Sequence, residues 1–103
     1  MAKVSVIAKI TALPGMRDEM VTVLSDVATA AQDEPGTELY AMNLDKSDEN
    51  VIWFYEVYAD EAALAAHSGS EAMKAAGAKL RDKAAGRPEL MVCELVTGKN
   101  VPS

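Results

Sequence analysis

The chain has 103 residues, a length that suits one domain with one hydrophobic core and leaves no room for a separate cofactor domain. Its composition, 50% hydrophobic and 25% charged, is typical of a soluble globular protein. The formal net charge of -6 disfavours nucleic acid and anionic membrane surfaces as partners. We expect a single domain over residues 1–103, in which residues 97–103 form a flexible or dimer-contacting tail.

The N-terminal segment MAKVSVIAKI alternates apolar and polar side chains, which predicts a strand from about Ala2 to Ala12. Lys3 and Lys9 interrupt its apolar residues, so the segment lacks the continuous apolar core of a signal peptide. Nothing elsewhere in the sequence approaches the length of a membrane span. We therefore expect a cytoplasmic protein with no membrane partner.

A helix and a second strand are predicted next. From Met16 onward, apolar residues recur at spacings of three and four, as in an amphipathic helix. Pro35-Gly36 ends this helix, because the residue before a proline is pushed out of the helical region. A second strand is predicted from Thr37 to Asp45, and a short polar run separates it from a third strand at hairpin distance.

The third strand, VIWFYEVY over residues 51–58, is apolar on both faces. Its odd-numbered residues are Val, Trp, Tyr and Val, and its even-numbered residues are Ile, Phe, Glu and Tyr. Both faces therefore need cover. Because the helices of so short a chain can cover only one side of a sheet, we expect the other side to meet a second subunit or a ligand.

Two shorter helices are predicted after the third strand. Asp60 is placed to cap a helix that contains His67. Ser68 and Glu71 have the spacing of a capping box for a following helix, which we expect to run to about Ala85.

The order of elements predicts the fold. Gly-Arg-Pro at residues 86–88 stops the last helix, and a final strand is predicted over residues 89–96. With right-handed crossovers this order gives an α+β, ferredoxin-like βαββαβ fold, an antiparallel sheet with helices on one face. The other face would be bare in a single chain, so we predict a homodimer in which two sheets stack as a dimeric α+β barrel.

Cysteine and histidine each occur once, as Cys93 and His67. A lone cysteine cannot form an internal disulfide, and we expect Cys93 to be a small buried residue of the last strand. One histidine and one cysteine cannot build a standard zinc site, so no metal is expected. No glycine-rich phosphate-binding motif occurs, so nucleotide or flavin binding is not indicated.

The element order and one motif resemble a known family. Pro14-Gly15 precedes the first helix, Pro35-Gly36 precedes the second strand, and WFYEVY at residues 53–58 is followed by ALAAH at residues 63–67. In these features nearly the whole chain resembles the antibiotic biosynthesis monooxygenase superfamily. The resemblance implies a homodimeric ferredoxin-like barrel with a pocket in each subunit. It also implies a quinol-monooxygenase-like enzyme that oxygenates small quinols or polycyclic phenols without a bound cofactor.

The haem-degrading branch of that family differs at its functional positions. Its members carry an Asn on the first strand, a Trp at the end of the third strand and a haem-ligating His on the long second helix. This sequence has Ala8, Tyr58 and Gly77 at those positions. Because glycine cannot ligate iron, haem chemistry is disfavoured, and we expect no cofactor.

Cofactor-free oxygenation uses the substrate as the reductant, since a deprotonated quinol can pass an electron to dioxygen. The site must supply a base near neutral pH, an apolar slot and donors for the developing oxyanion. Histidine is the side chain that ordinarily titrates in this range, so His67 is the first candidate for the base. Glu56, in an apolar strand, is the second, and it could orient His67 or act as a base itself.

Four aromatic side chains are candidates for substrate binding, because each combines ring surface with a hydroxyl or indole donor. They are Tyr40, Trp53, Tyr55 and Tyr58. Packing in the core or in the dimer interface is the alternative role for each. Two other functions stay open: isomerisation of a small oxygenated metabolite through an enolate, without oxygen consumption, and non-catalytic binding of a hydrophobic molecule by a dimer.

Overall fold

Seven elements follow one another in the computed structural model, which describes residues 2–102. They are β1 (Val4–Thr11), α1 (Arg17–Ala31), β2 (Thr37–Leu44), β3 (Val51–Tyr58), α2 (Glu61–Ser68), α3 (Glu71–Leu80) and β4 (Glu89–Glu94). The strands form one antiparallel sheet in the order β2-β3-β1-β4. This confirms the predicted α+β, ferredoxin-like fold, although β1 and β4 are shorter than predicted. Within these residues no helix is long and apolar enough to cross a membrane.

The helices cover one face of the sheet and form the core with it. On β3, the even-numbered Ile52 and Phe54 pack against Met20 and Leu24 of α1, and all four are buried. A second, smaller cluster under α2 consists of Val4, Val6 and Tyr58 with Ala63 and Leu64 packed against it. The apolar even-numbered side chains of β3 thus meet the helices, while its odd-numbered side chains lie on the other face of the sheet.

The long helix predicted to reach Ala85 ends earlier, at Leu80. The residues that follow it pair with the end of β1 instead. The Leu13 amide donates to the Lys83 carbonyl at 2.8 Å, and the Ala85 amide donates to the Thr11 carbonyl at 2.8 Å. This pairing satisfies backbone groups that a longer helix would have bonded internally.

The start of α3 also differs from the prediction. Asp60 caps α2 as expected, but α2 continues through Ser68, which is therefore helical and does not begin the next helix. The cap of α3 is Ser70, whose Oγ accepts from the Met73 amide at 3.3 Å. The predicted capping box of Ser68 and Glu71 is wrong for this reason.

The opposite side of the sheet, here called the open face, carries an apolar row. Ala41, Tyr55, Ile7 and Met91 are directly paired across β2, β3, β1 and β4. The last three are large and exposed, at 51%, 39% and 59% respectively. The chain's own helices thus leave the middle of this face uncovered.

Strand β4 is exposed on both faces along its whole length. Leu90 and Val92 point to the helix side, while Met91 and Cys93 point to the open face. The expectation that Cys93 is buried is wrong, because β4 lies at the sheet edge and is hydrogen-bonded to β1 alone.

Candidate functional site

A cleft of about 200 Å³ opens between the sheet and helices α2 and α3. Most of its wall is apolar, and Leu24, Phe54, Leu64 and Met73 contribute to it. Because a cavity of about 150 Å³ can hold benzene, this volume suits a small aromatic molecule. The cleft also contains three side chains able to exchange a proton, namely Tyr40, Glu56 and His67.

His67 lies in the last turn of α2 and is only 3% exposed. Its Nδ1 atom is 2.7 Å from Oε1 of Glu34, a residue in the loop between α1 and β2. Its ring packs against the rings of Tyr40 and Tyr58, with centroid distances of 4.9 and 5.5 Å. One ring nitrogen of His67 is therefore occupied by a carboxylate from another element.

The other ring nitrogen, Nε2, has no hydrogen-bond partner among residues 2–102. Within residues 2–102, every buried side-chain nitrogen or oxygen has a hydrogen-bond partner. Nε2 of His67 has none in this part of the chain, so it keeps accessible surface, and the cleft is the space that His67 lines. We infer that Nε2 is the ring nitrogen available to a molecule in the cleft.

Glu56 lies on β3 in the helix-covered face and lines the same cleft while being only 8% exposed. The Tyr58 hydroxyl donates to its Oε1 atom. Burial raises the pKa of the Glu56 carboxyl, and the hydrogen bond from Tyr58 and the nearby His67 offset only part of that rise. Glu56 therefore exchanges its proton at a higher pH than an ordinary glutamate.

The structure does not pair Glu56 with His67, the arrangement considered from the sequence. Each has another partner: Tyr58 for Glu56, and Glu34 for His67. Glu34 is the site residue that sequence reasoning missed. The sequence signal available for a contact of this loop was Gly36, two residues after Glu34. Its lack of a side chain allows the loop to approach α2 closely.

Two of the predicted tyrosines lie at the site. Tyr40 is directly paired with Glu56 across β2 and β3, and it lines the cleft. Burial, together with the carboxylates of Glu56 and Glu34, raises the Tyr40 pKa, so its phenol stays protonated near neutral pH. Tyr58 is completely buried, and burial with its bond to Glu56 raises its pKa as well.

The other two aromatic candidates lie on the open face, away from the cleft. Tyr55 belongs to the apolar row described above. Trp53 donates from Nε1 to Oδ2 of Asp45 at 2.8 Å, and Lys9 Nζ lies 5.7 Å from the centre of its ring. The bond from Trp53, with backbone donors, lowers the pKa of Asp45 to about 2. A molecule held in the cleft would contact neither Trp53 nor Tyr55.

No group of three His, Cys, Asp or Glu side chains able to hold a metal ion occurs among residues 2–102. At the positions that matter for haem degradation, Tyr58 is bonded to Glu56 and Gly77 is exposed on α3. The cleft itself contains Tyr40, Glu56 and His67 as side chains able to exchange a proton.

The protein has an antiparallel sheet with helices on one face, and its apolar cleft holds a histidine, a carboxyl and a phenol. It is therefore a ferredoxin-like α+β protein with a candidate small-molecule site. Residues 3–79 match the sequence model of the family described as antibiotic biosynthesis monooxygenase. This match spans more than half of the chain, so the chain belongs to the antibiotic biosynthesis monooxygenase family.

Solved structures of several proteins are similar to this chain. A Caulobacter crescentus protein that carries the provisional name antibiotic biosynthesis monooxygenase is 31% identical, with 93% of this chain and 92% of that chain covered and a TM-score of 0.88. A Chloroflexus aurantiacus protein with the same provisional name is 26% identical, with 97% and 99% covered and a TM-score of 0.83. A Pseudomonas aeruginosa protein, at 21% identity, 94% and 97% coverage and a TM-score of 0.87, shares the fold. None of the curated proteins matches the chain significantly.

Proposed function

We propose that this protein is a cofactor-independent monooxygenase that oxygenates a small quinol or polycyclic phenol in the cleft. One observation carries the proposal: His67, Glu56 and Tyr40 line one small, otherwise apolar cleft, and Nε2 of His67 has no hydrogen-bond partner among residues 2–102. Membership of the antibiotic biosynthesis monooxygenase family supports the same reaction class.

The character of the cleft favours an uncharged aromatic substrate. Apolar walls suit a flat ring, and none of the residues that line the cleft within the described chain is Lys or Arg. Without a cation, a phosphate or carboxylate on the substrate would be desolvated near Glu56 with no compensating charge. A neutral quinol avoids this cost and presents a hydroxyl proton to His67.

The proposed reaction balances without an external reductant. A quinol and dioxygen give a hydroxyquinone and water, so one oxygen atom enters the ring and the substrate supplies all four electrons. His67 Nε2 takes a hydroxyl proton, and the resulting anion passes one electron to dioxygen. The two radicals then combine in a C–O bond, and the protonated His67 returns its proton to the resulting peroxide. Loss of the proton from the same ring carbon forms the new carbonyl, breaks the O–O bond and releases water.

Two neutral donors near the base can stabilise the substrate anion. Tyr40 stays protonated near neutral pH because of its burial and its acidic neighbours. Glu56 in its protonated form is a second donor in the same cleft, and burial raises its pKa. Fixed donors in a poorly solvated site stabilise developing negative charge more strongly than water does.

We also propose that the active form is a homodimer whose two open faces pack together. The exposed row of Tyr55, Ile7 and Met91 supports this arrangement, because a continuous apolar strip across a sheet is rarely left in water. An isologous contact between two such strips would bury the same residues in both subunits.

Oxygen uptake with a panel of naphthoquinols and anthrones tests the function. We expect wild-type protein to consume oxygen, and His67→Ala to lose about 10²–10⁴-fold in rate, since general-base catalysis contributes that much. Glu61→Ala, an exposed residue of the same helix, serves as the control and should retain the wild-type rate. Circular dichroism checks that each variant is folded.

Three results would contradict the proposal. Equal rates for wild type and His67→Ala would exclude His67 as the base. Turnover of an oxygenated metabolite without oxygen uptake would indicate an isomerase that uses the same base through an enolate. Tight binding of the panel with no turnover would indicate a non-catalytic binding module.

A further inference from the structure

We propose that Glu34, in the loop between α1 and β2, is a positioning residue that fixes the tautomer and orientation of the His67 ring. By holding the hydrogen on Nδ1, it makes Nε2 the nitrogen that accepts a proton in the cleft. The catalytic consequence rests on the proposed function, whereas the tautomer is a property of the protein itself.

The hydrogen bond between the two side chains sets the tautomer. Nδ1 of His67 lies 2.7 Å from Oε1 of Glu34, a distance typical of a charge-assisted bond. A carboxylate can only accept, so Nδ1 must carry the hydrogen. In the neutral ring the lone pair is then on Nε2, which has no hydrogen-bond partner among residues 2–102 and belongs to a ring that lines the cleft.

Glu34 is the polar partner of the His67 ring among residues 2–102. The neighbouring Tyr40 and Tyr58 meet the ring with interplanar angles of 54° and 44° and donate no hydrogen bond to it. Glu56 is bonded to Tyr58. Within residues 2–102, the titratable side chains that face His67 are Glu34, Glu56, Tyr40 and Tyr58, and of these only Glu34 is bonded to it.

The Glu34 side chain is itself held in place. The Thr37 hydroxyl donates to Glu34 Oε1 at 2.8 Å, and the Ala59 amide donates to the Gly36 carbonyl at 2.9 Å. The loop approaches α2 so closely that a Cβ added at Gly36 would lie 2.4 Å from Ala63 Cβ. A carboxylate on a docked loop can orient a catalytic ring more reliably than one on a mobile loop.

Nitrogen-15 NMR of the protein reads the tautomer directly, because His67 is the only histidine in the chain. At a pH where the ring is neutral, we expect the wild-type Nδ1 to carry the hydrogen. Glu34→Ala should redistribute the hydrogen between both nitrogens. Asp33→Ala removes the adjacent exposed acid, which has no bond to His67, and should leave the wild-type tautomer unchanged.

Kinetics supply the second readout. We expect Glu34→Ala to lower kcat about 10- to 100-fold, less than loss of the base itself, with KM changed less than about twofold. Asp33→Ala should keep the wild-type kcat. A purely structural role would lower stability without moving the tautomer or separating kcat from KM in this way.

The outcomes separate this inference from the proposed function. A wild-type ring with its hydrogen on Nε2 would overturn the role of Glu34, and this result needs no variant to fold. An unchanged tautomer and kcat in Glu34→Ala, with wild-type oxygen uptake intact, would also overturn it. If the tautomer depends on Glu34 but the protein takes up no oxygen, the positioning role of Glu34 would be supported. Only the proposed oxygenase function would then be contradicted.

Discussion

Glu34 and Glu56 both lie near His67, but their surroundings differ, and so do the roles that we propose for them. Glu34 is bonded to Nδ1 of His67 and does not line the cleft, while Glu56 accepts from the buried Tyr58 phenol and lines the cleft. Burial raises the pKa of Glu56, so it is the carboxyl suited to give or receive a proton. The two side chains are chemically the same, so the difference between their proposed roles comes from their environments.

The raised pKa of Glu56 makes the stability of the fold depend on pH. Above the ordinary glutamate value of 4.5, the unfolded chain releases the Glu56 proton while the folded chain still holds it. The contribution of Glu56 to the free energy of unfolding therefore falls as pH rises from about 4.5 through the folded pKa. We expect Glu56→Gln, which does not titrate, to gain stability relative to wild type across that interval.

Urea unfolding at several pH values between 4 and 8 measures this difference. The Gln side chain keeps an oxygen that can accept from the Tyr58 hydroxyl, so the local packing is preserved. Parallel stability curves for the two proteins would show that Glu56 has the same affinity for its proton in the folded and unfolded states.

At the scale of elements, the docking of the α1–β2 loop on α2 depends on Gly36. An added Cβ there would overlap Ala63, which cannot rotate away because it has no further side-chain atoms. We expect Gly36→Ala to cost about 1–3 kcal/mol, as overpacking usually does. Because the loop must then move, the variant should also weaken the bond between Glu34 and His67.

Gly77 offers a matched control for that substitution. It lies in the exposed interior of α3, and no atom comes within 4 Å of a Cβ built on it. Gly77→Ala should therefore stabilise the protein by about 0.5–1 kcal/mol, because alanine is the better helix former. Equal urea midpoints for the two variants would contradict the close approach at Gly36.

Local sequence patterns predicted the elements well and their partners poorly. The alternation of residues 51–58 correctly separated the two faces of the strand, because pleating is a property of the strand alone, but it did not show which face meets the helices. Two serines near residue 68 could each cap α3, and only the length of α2 decided in favour of Ser70. The end of α3 at Leu80 depended on pairing with β1, which no local pattern reveals.

The same difference between local patterns and contacts between elements explains which site residues could be predicted. His67 and Glu56 stood out because each is unusual in its own segment, one as the only histidine and the other as a charge in an apolar strand. Glu34 itself did not stand out, since a glutamate in a loop is ordinary, and Gly36 marked only a close approach of its loop. Its role arises from packing between elements far apart in the chain, as the bond to His67 shows.

At the scale of the whole molecule, the open face should determine the oligomeric state. We expect wild-type protein to sediment as a dimer at micromolar concentration, and Ile7→Lys to sediment as a monomer, because it places a charge in the centre of the apolar row. Leu13→Lys is the matched control. Leu13 is 40% exposed against 39% for Ile7, but it lies in the turn before α1, so this variant should remain dimeric.

A wild-type monomer at that concentration would contradict the proposed assembly. A monomeric Leu13→Lys would mean that the dimer uses a surface other than the open face.

Strand β4 belongs both to the cleft and to the open face, the two surfaces for which we propose a function. Leu90 and Val92 border the cleft, Met91 and Cys93 border the open face, and every residue of the strand is exposed in the single chain. A ligand in the cleft and a second subunit on the open face would each restrict the motion of this one strand. The partner that binds first would order the strand, so the second would bind with a smaller loss of conformational entropy. Ligand affinity and dimer affinity would then be thermodynamically linked without any change of fold.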